Sequence, residues 1–259
     1  MGSIATARGR IGFIDAGGGS ETPIIFLHGV GSDKSVWRPQ LEHFGKSRIA
    51  VAFDYPGYGE SDLVERASRD DFAASILGAM TALGIAKAHV CGLSLGGVVA
   101  IAMHAASAQR CASLIIADSF AVHPDGQAIY DRSVAASHSM TMRALAEARS
   151  GVLLGSAATD ALRADVIETM AAIDPAAYRI GAEAVWLADQ RERASAIALP
   201  TLVLVGEEDG ITPPALSEDL HRLVHGSELA YIPGAGHLAN IEQPQAFNRS
   251  IESFLSNQR

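Results

Sequence analysis

The stretch AHVCGLSLGGVVAIAMHAASA, residues 88–108, divides into three parts. Ala88–Cys91 is a short apolar run with the character of a buried strand, and Gly97–Ala108 is an Ala- and Val-rich helical run. Gly92-Leu93-Ser94-Leu95-Gly96 joins them. A G-x-S-x-G pentapeptide is a modest signal alone, since Gly and Ser are common. Between a strand and a helix it describes a tight turn that holds the serine in a strained backbone conformation. The flanking glycines leave room for strand and helix to approach closely. Ser94 then projects from the carboxyl edge of a sheet at a helix N-terminus, where backbone N–H groups favour developing negative charge. A plain Ser-Gly helix start would read the same way in isolation. A phosphate loop would not: the glycine order is wrong for G-x-G-x-x-G, and no Walker-type Gly-Lys-Ser/Thr occurs.

Outward from this turn, apolar strands at 10–15, 23–27, 48–53, 113–117, 201–205 and 228–232 alternate with helical patterns at 36–44, 71–83, 214–224 and 243–255. Nearly continuous apolar strands separated by helices predict an α/β fold, a mostly parallel sheet flanked by helices. The alternation fails between about 120 and 194, where only Ala-rich helical segments occur, broken near Gly151, Gly155 and Asp174-Pro175. An all-helical insertion interrupting a parallel sheet reads as a cap over a site. The expected division is therefore a core domain, 1–119 and 195–259, and a helical cap (lid), 120–194.

A serine hydroxyl needs a base to take its proton. Of nine histidines, His237 lies in the Gly-rich loop Pro233-Gly234-Ala235-Gly236-His237, between the last strand and the last helix. That loop belongs to the same sheet edge as Ser94. His43, His89, His104, His221 and His225 fall in or beside helices and strands, and His123 and His138 fall in the cap. The orienting acid should follow a strand between Ser94 and His237. Strand 201–205 runs into Gly206-Glu207-Glu208-Asp209-Gly210, which offers three carboxylates. Asp209, at the loop tip with the shorter and firmer side chain, is the preferred acid. Glu207 and Glu208 read as solvated loop residues.

A tetrahedral intermediate needs N–H donors on its oxygen. Leu95, the residue after the serine, should supply one donor for this oxyanion hole. Val30, in His28-Gly29-Val30-Gly31-Ser32, should supply the other. Gly29 and Gly31 shape that loop. His28 would brace it, and both His28 and Gly29 are candidates for contact with substrate.

Taken in order, FLHGVGSDKSVW, DYPGYGESD, GLSLGG, VGEEDGITPP and GAGHLANIEQP resemble the α/β-hydrolase superfamily along essentially the whole chain. The order Ser…Asp…His is also the one found in that superfamily. Length, the ending GAGHLANIEQPQAF, and the cap features Met170–Asp174, Tyr178 and Ala188-Asp189 are most similar to the 3-oxoadipate enol-lactonase group. The resemblance implies a serine hydrolase cleaving a small carboxylic ester or lactone through an acyl-enzyme, with no metal or organic cofactor. Carbon–carbon bond hydrolases of ring-cleavage diketones share the same residues, and so do non-catalytic small-molecule receptors on this fold. Ser94 stands where haloalkane dehalogenases carry Asp, which disfavours dehalogenation.

In the cap, Trp186 is the foremost candidate for substrate contact, with Phe120, Tyr130, Met140, Met142 and Tyr178 as further apolar wall. A substrate carboxylate would need a cation, and Arg132, Arg143, Arg149, Arg179 and Arg191 are all available. The net charge of −9 gives no footprint for nucleic acid or an anionic membrane surface. The expected partner is a small-molecule ester or lactone. No run is long and apolar enough to span a bilayer, and residues 1–10 lack a secretory apolar core. The expected compartment is the cytoplasm, with Cys91 and Cys111 reduced and buried.

Overall fold

The computed structural model describes residues 2–258. Its eight strands are β1 (Gly2–Thr6), β2 (Gly9–Ala16), β3 (Glu21–Leu27), β4 (Arg48–Phe53), β5 (Ala88–Leu93), β6 (Cys111–Ala117), β7 (Thr201–Gly206) and β8 (Glu228–Ile232). They form one sheet in the order β1-β2-β4-β3-β5-β6-β7-β8. β1 pairs antiparallel with β2, and β2 antiparallel with β4; every later pairing is parallel. β1 is the one strand absent from the sequence reading. Its residues alternate between partly buried and exposed and end in a hairpin at Thr6, so it lacks the apolar run that marks the central strands.

The helices are α1 (Arg38–Phe44), α2 (Arg69–Ala82), α3 (Leu95–Ser107), α4 (Gly126–Ser139), α5 (Met142–Leu153), α6 (Asp160–Ala171), α7 (Pro175–Trp186), α8 (Arg191–Ser195), α9 (Pro214–Leu223), α10 (Ala239–Glu242) and α11 (Pro244–Ser256). α2 begins two residues before the apolar pattern. Ser68 caps it, accepting from Asp71 N–H while the Asp71 carboxylate accepts from Ser68 N–H.

Alternation along the strands sorts the core onto two faces. Ile25 and Leu27 of β3 face the layer that holds Phe72 and Ile76 of α2 and Val98 and Ile101 of α3. Ile24 and Phe26 face the opposite layer, with Leu41 of α1 and Phe247 and Ile251 of α11. Helices α4–α8 fill the whole connection from β6 to β7. Met142, Leu145, Tyr178 and Trp186 of these helices join the first of the two clusters, so the inserted helices share the core of the sheet layer. The base of the insertion is closed by a bridge between Val122 and Asp189 and by Gln190 N–H donating to Ala121 C=O at 2.9 Å. Among the described residues, no helix is long and apolar enough to cross a membrane.

Candidate active site

Ser94 sits between β5 and α3 with φ 57° and ψ −115°. Among the described residues only Ser94 and Asp118 are non-glycine residues with positive φ. Such a conformation persists only where the surroundings over-determine it. Here Ser94 N–H donates to Ala117 C=O at 2.9 Å, and Ser94 C=O accepts from Ser119 Oγ at 2.8 Å and Gly97 N–H at 2.9 Å. The turn also requires its glycines. A Cβ on Gly96 would stand 2.0 Å from Leu27 O, and one on Gly92 would stand 2.1 Å from Gly96 O.

The loop after β7 delivers Asp209. Its Oδ1 accepts from Ile211 N–H at 2.8 Å and Thr212 N–H at 2.9 Å; its Oδ2 accepts from Thr212 Oγ1 at 2.7 Å. His237 Nδ1 lies 2.9 Å from that Oδ2, and both side chains are buried. Burial acts to raise the Asp209 pKa. The His237 charge and hydrogen bond, with those from Thr212, outweigh it and hold the carboxyl below its ordinary value. Glu208 instead turns outward and accepts from Ser156 N–H and Oγ at 2.6 and 3.0 Å, while Glu207 is exposed. Thr212 is a contributor the sequence reading did not single out. Its place three residues after the acid, at the approach to α9, is the only local signal for it.

His237 is held from the insertion side, its N–H donating to Leu153 C=O at 2.9 Å. Glu242 of α10 steadies the same region, accepting from Gly155 N–H at 2.7 Å and Leu238 N–H at 3.1 Å. Gly29 abuts Ser94, since a Cβ there would come 3.4 Å from Ser94 Cβ. Leu95 opens α3, and the first N–H groups of a helix have no partner within it. Val30 is buried, and its carbonyl accepts from Tyr58 OH at 3.2 Å.

Ser94, His237, Gly29, Val30 and Trp186 line one cavity of about 490 Å³. That volume suits a small organic molecule. Its far wall comes from α5 and α6, chiefly Leu153, Leu162, Val166 and Met170. Leu162, Val166 and Met170 recur every four residues, a helical stripe visible in the sequence but not used in its reading.

The chain's overall similarity can now be set beside this geometry. The sequence model of the alpha/beta hydrolase family matches residues 24–250. The chain belongs to the alpha/beta hydrolase family. This hydrolase is 28% identical to 3-oxoadipate enol-lactonase 1 of Acinetobacter baylyi, over 97% of this chain and 96% of that protein. Its fold superposes on the enol-lactonase of Burkholderia xenovorans with a TM-score of 0.92 at 25% identity, covering 98% of this chain and 99% of the other. A thermophilic esterase from Thermogutta terrifontis gives a TM-score of 0.91 at 26% identity, covering 99% and 98%.

Two expectations about side chains need correction. His28 was a candidate for substrate contact, yet it is fully buried and is not among the residues lining the cavity. Its ring packs on Tyr55 and Tyr58 with centroids 4.6 and 5.0 Å away, its Nδ1 lies 2.8 Å from Gly29 O, and burial lowers its pKa. Bracing the Gly29–Gly31 loop is what this environment allows. The cap aromatics also divide. Trp186 lines the cavity, stacked on Phe120 at 5.8 Å, whereas Phe120, Tyr130, Met140, Met142 and Tyr178 do not line it. Their apolar surface packs the insertion onto the sheet layer, apart from Met140, which is exposed.

The five cap arginines are also resolved. Arg143 pairs with Glu168 and Arg191 with Asp189, both on the surface, and Arg179 reaches Ser137 Oγ at 3.5 Å. Arg149, half-buried on α5, lines the cavity, as do Arg38, Asp165 and Glu168. It also borders an adjoining cavity of about 320 Å³, together with Arg132 and Trp186.

Proposed function

We propose that this hydrolase cleaves a small carboxylic ester or lactone by nucleophilic catalysis at Ser94. His237 takes the Ser94 proton as Ser94 Oγ attacks the carbonyl, and Asp209 holds the imidazole in the required tautomer. The N–H groups of Leu95 and Val30 receive the oxyanion. Collapse expels the alkoxide or enolate with a proton from His237. A water then gives its proton to His237 and attacks the acyl-enzyme, which releases the acid and restores Ser94. The segment 120–194 acts as the cap over this chemistry, with Trp186 and the Leu162–Met170 stripe selecting a compact apolar acyl or lactone body.

The observation that carries this reading is the 2.9 Å contact between buried Asp209 and His237, with His237 and Ser94 in its strained turn both on the wall of one cavity. The printed activities of the similar proteins, enol-lactonase and esterase, point to the same bond type. Arg149 and Arg38 are the arginines on the wall of this cavity, beside Asp165 and Glu168, and Arg149 on the cap side is our candidate partner for an acidic substituent on the substrate.

The test is turnover of short p-nitrophenyl esters and of enol-lactones by wild type and Ser94→Ala, with fluorophosphonate labelling in parallel. Wild type should label and turn over, and Ser94→Ala should do neither while keeping its circular-dichroism spectrum. Substantial turnover by Ser94→Ala overturns the assignment. Ligand binding by a wild type that neither labels nor hydrolyses would make the chain a receptor.

A further inference from the structure

Asp118 is the second left-handed non-glycine residue, with φ 48°, and the mechanism above does not use it. It follows β6, and its side chain is fully buried. Its neighbours on each side brace the nucleophile: Ala117 C=O accepts from Ser94 N–H, and Ser119 Oγ donates to Ser94 C=O. Asp118 itself reaches the other way. Its N–H donates to Leu204 C=O at 2.9 Å, and its Oδ1 accepts from Gly206 N–H at 2.7 Å, at the root of the loop that carries Asp209. Its other oxygen, Oδ2, is buried and, among the described residues, receives no hydrogen bond. The charged groups acting on it are Asp209 and Glu242, both acidic.

A fully buried carboxyl with one oxygen lacking any donor and with acidic groups acting on it cannot carry full charge, so a proton must be held at this pair of acids. Its location follows from the donors. Asp209 collects Ile211 N–H, Thr212 N–H, Thr212 Oγ1–H and His237 Nδ1, an environment that stabilises a carboxylate. Among the described residues the Asp118 carboxyl collects only Gly206 N–H and its Oδ2 is bare, while Gly206 C=O accepts from Asp209 N–H at 3.2 Å, which puts the two acids at one short loop.

We propose that Asp118 is a positioning residue that stays protonated at neutral pH and donates its carboxyl O–H to Asp209, clamping the acid against His237 and leaving one negative charge behind the imidazole. Burial, ahead of the Asp209 charge, pushes its pKa well above the ordinary carboxyl value, in agreement with this arrangement. The inference rests on the reading of Asp209 as the carboxylate that orients His237.

The test compares wild type with Asp118→Asn and Asp118→Gly. Asn keeps an oxygen for Gly206 N–H and an N–H for Asp209, and it tolerates left-handed φ; Gly removes the side chain without straining the backbone. Infrared spectra should show a deuterium-sensitive carbonyl band of a neutral, buried carboxylic acid in wild type and lose it in Asp118→Asn. Ester hydrolysis should stay within about threefold in Asp118→Asn, with the acid limb of kcat/KM unmoved, because no charge beside His237 is lost. In Asp118→Gly kcat should fall by about tenfold or more with KM little changed, as an unclamped Asp209 loses its hold on the imidazole. A wild type without that band, or an Asp118→Asn limb displaced by about one pH unit toward acid, would mean that Asp118 is ionised and overturns the proposal. Full activity in Asp118→Gly removes its positioning role. The infrared measurement needs no substrate, so a chain that hydrolyses nothing would sink the hydrolase reading and still decide where the proton lies.

Discussion

Asp209 is chosen from three neighbouring carboxylates by what reaches it. Its side chain is buried and held by the amides of Ile211 and Thr212 and the Thr212 hydroxyl, leaving Oδ2 placed for His237. Asp209→Asn keeps the volume but offers His237 an amide that favours the wrong tautomer. The expected loss in kcat is roughly 10³–10⁴-fold, against at most about threefold for Glu207→Gln or Glu208→Gln. Stopped-flow or steady-state ester hydrolysis ranks the three, and a larger loss for either Glu variant would reassign the acid. The positions of Ser94, His237 and Asp209 were legible because Gly-rich turns at strand ends mark them in the chain. Asp118 was not, and Arg149 stood only as one of five arginines among which the sequence does not choose. A buried carboxyl and a half-buried guanidinium become significant only through neighbours far away in sequence, Gly206 and Asp209 in one case and the cavity wall in the other.

At the scale of elements, the loop after β3 rests on a buried ion pair that no periodicity reveals. Lys34 has its ammonium 2.6 Å from Asp54 Oδ2, and its N–H donates to Asp54 Oδ1 at 2.9 Å. Both side chains are almost wholly buried, and Glu60 also contacts the ammonium. Lys34→Met strands the Asp54 charge, though the amides of Lys34 and Glu60 still reach it. That places the expected cost near the low end for a broken buried pair, about 3 kcal/mol, read from the urea midpoint. A loss under about 1 kcal/mol would show that the pair is as weak as a surface one. The central strands were legible because burial on both faces makes them continuous apolar runs, and β1 was not, because an edge strand need not be. The insertion was legible as helical, but its cavity-lining side was not, because the four-residue spacing of Leu162, Val166 and Met170 marks a buried face without saying what that face meets. Arg149 of α5 lies on that side, and if it receives the acid of a substrate, Arg149→Gln should raise KM about tenfold for a carboxylate-bearing ester and leave a neutral ester unchanged. Equal effects on both substrates would deny it that part.

For the whole molecule, the two adjoining carboxyls act on stability with opposite signs. Asp209 is depressed in the folded chain, so it adds stability above the unfolded carboxyl pKa, and that gain is lost as pH falls through its folded value. Asp118 is raised. Above about pH 4 the unfolded chain releases the Asp118 proton while the folded chain keeps it, so stability declines as pH rises toward the folded value. Asp118→Asn retains Asp209 and the rest of the chain's acidic charge, so the difference between variant and wild type isolates this one group. The Asn variant should gain on wild type with increasing pH between 5 and 7, by up to about 1.4 kcal/mol per unit. Urea denaturation at three pH values measures the gap directly. A gap that stays flat would mean that Asp118 ionises alike in both states, and a gap that closes as pH rises would mean that its charge, not its proton, stabilises the folded chain.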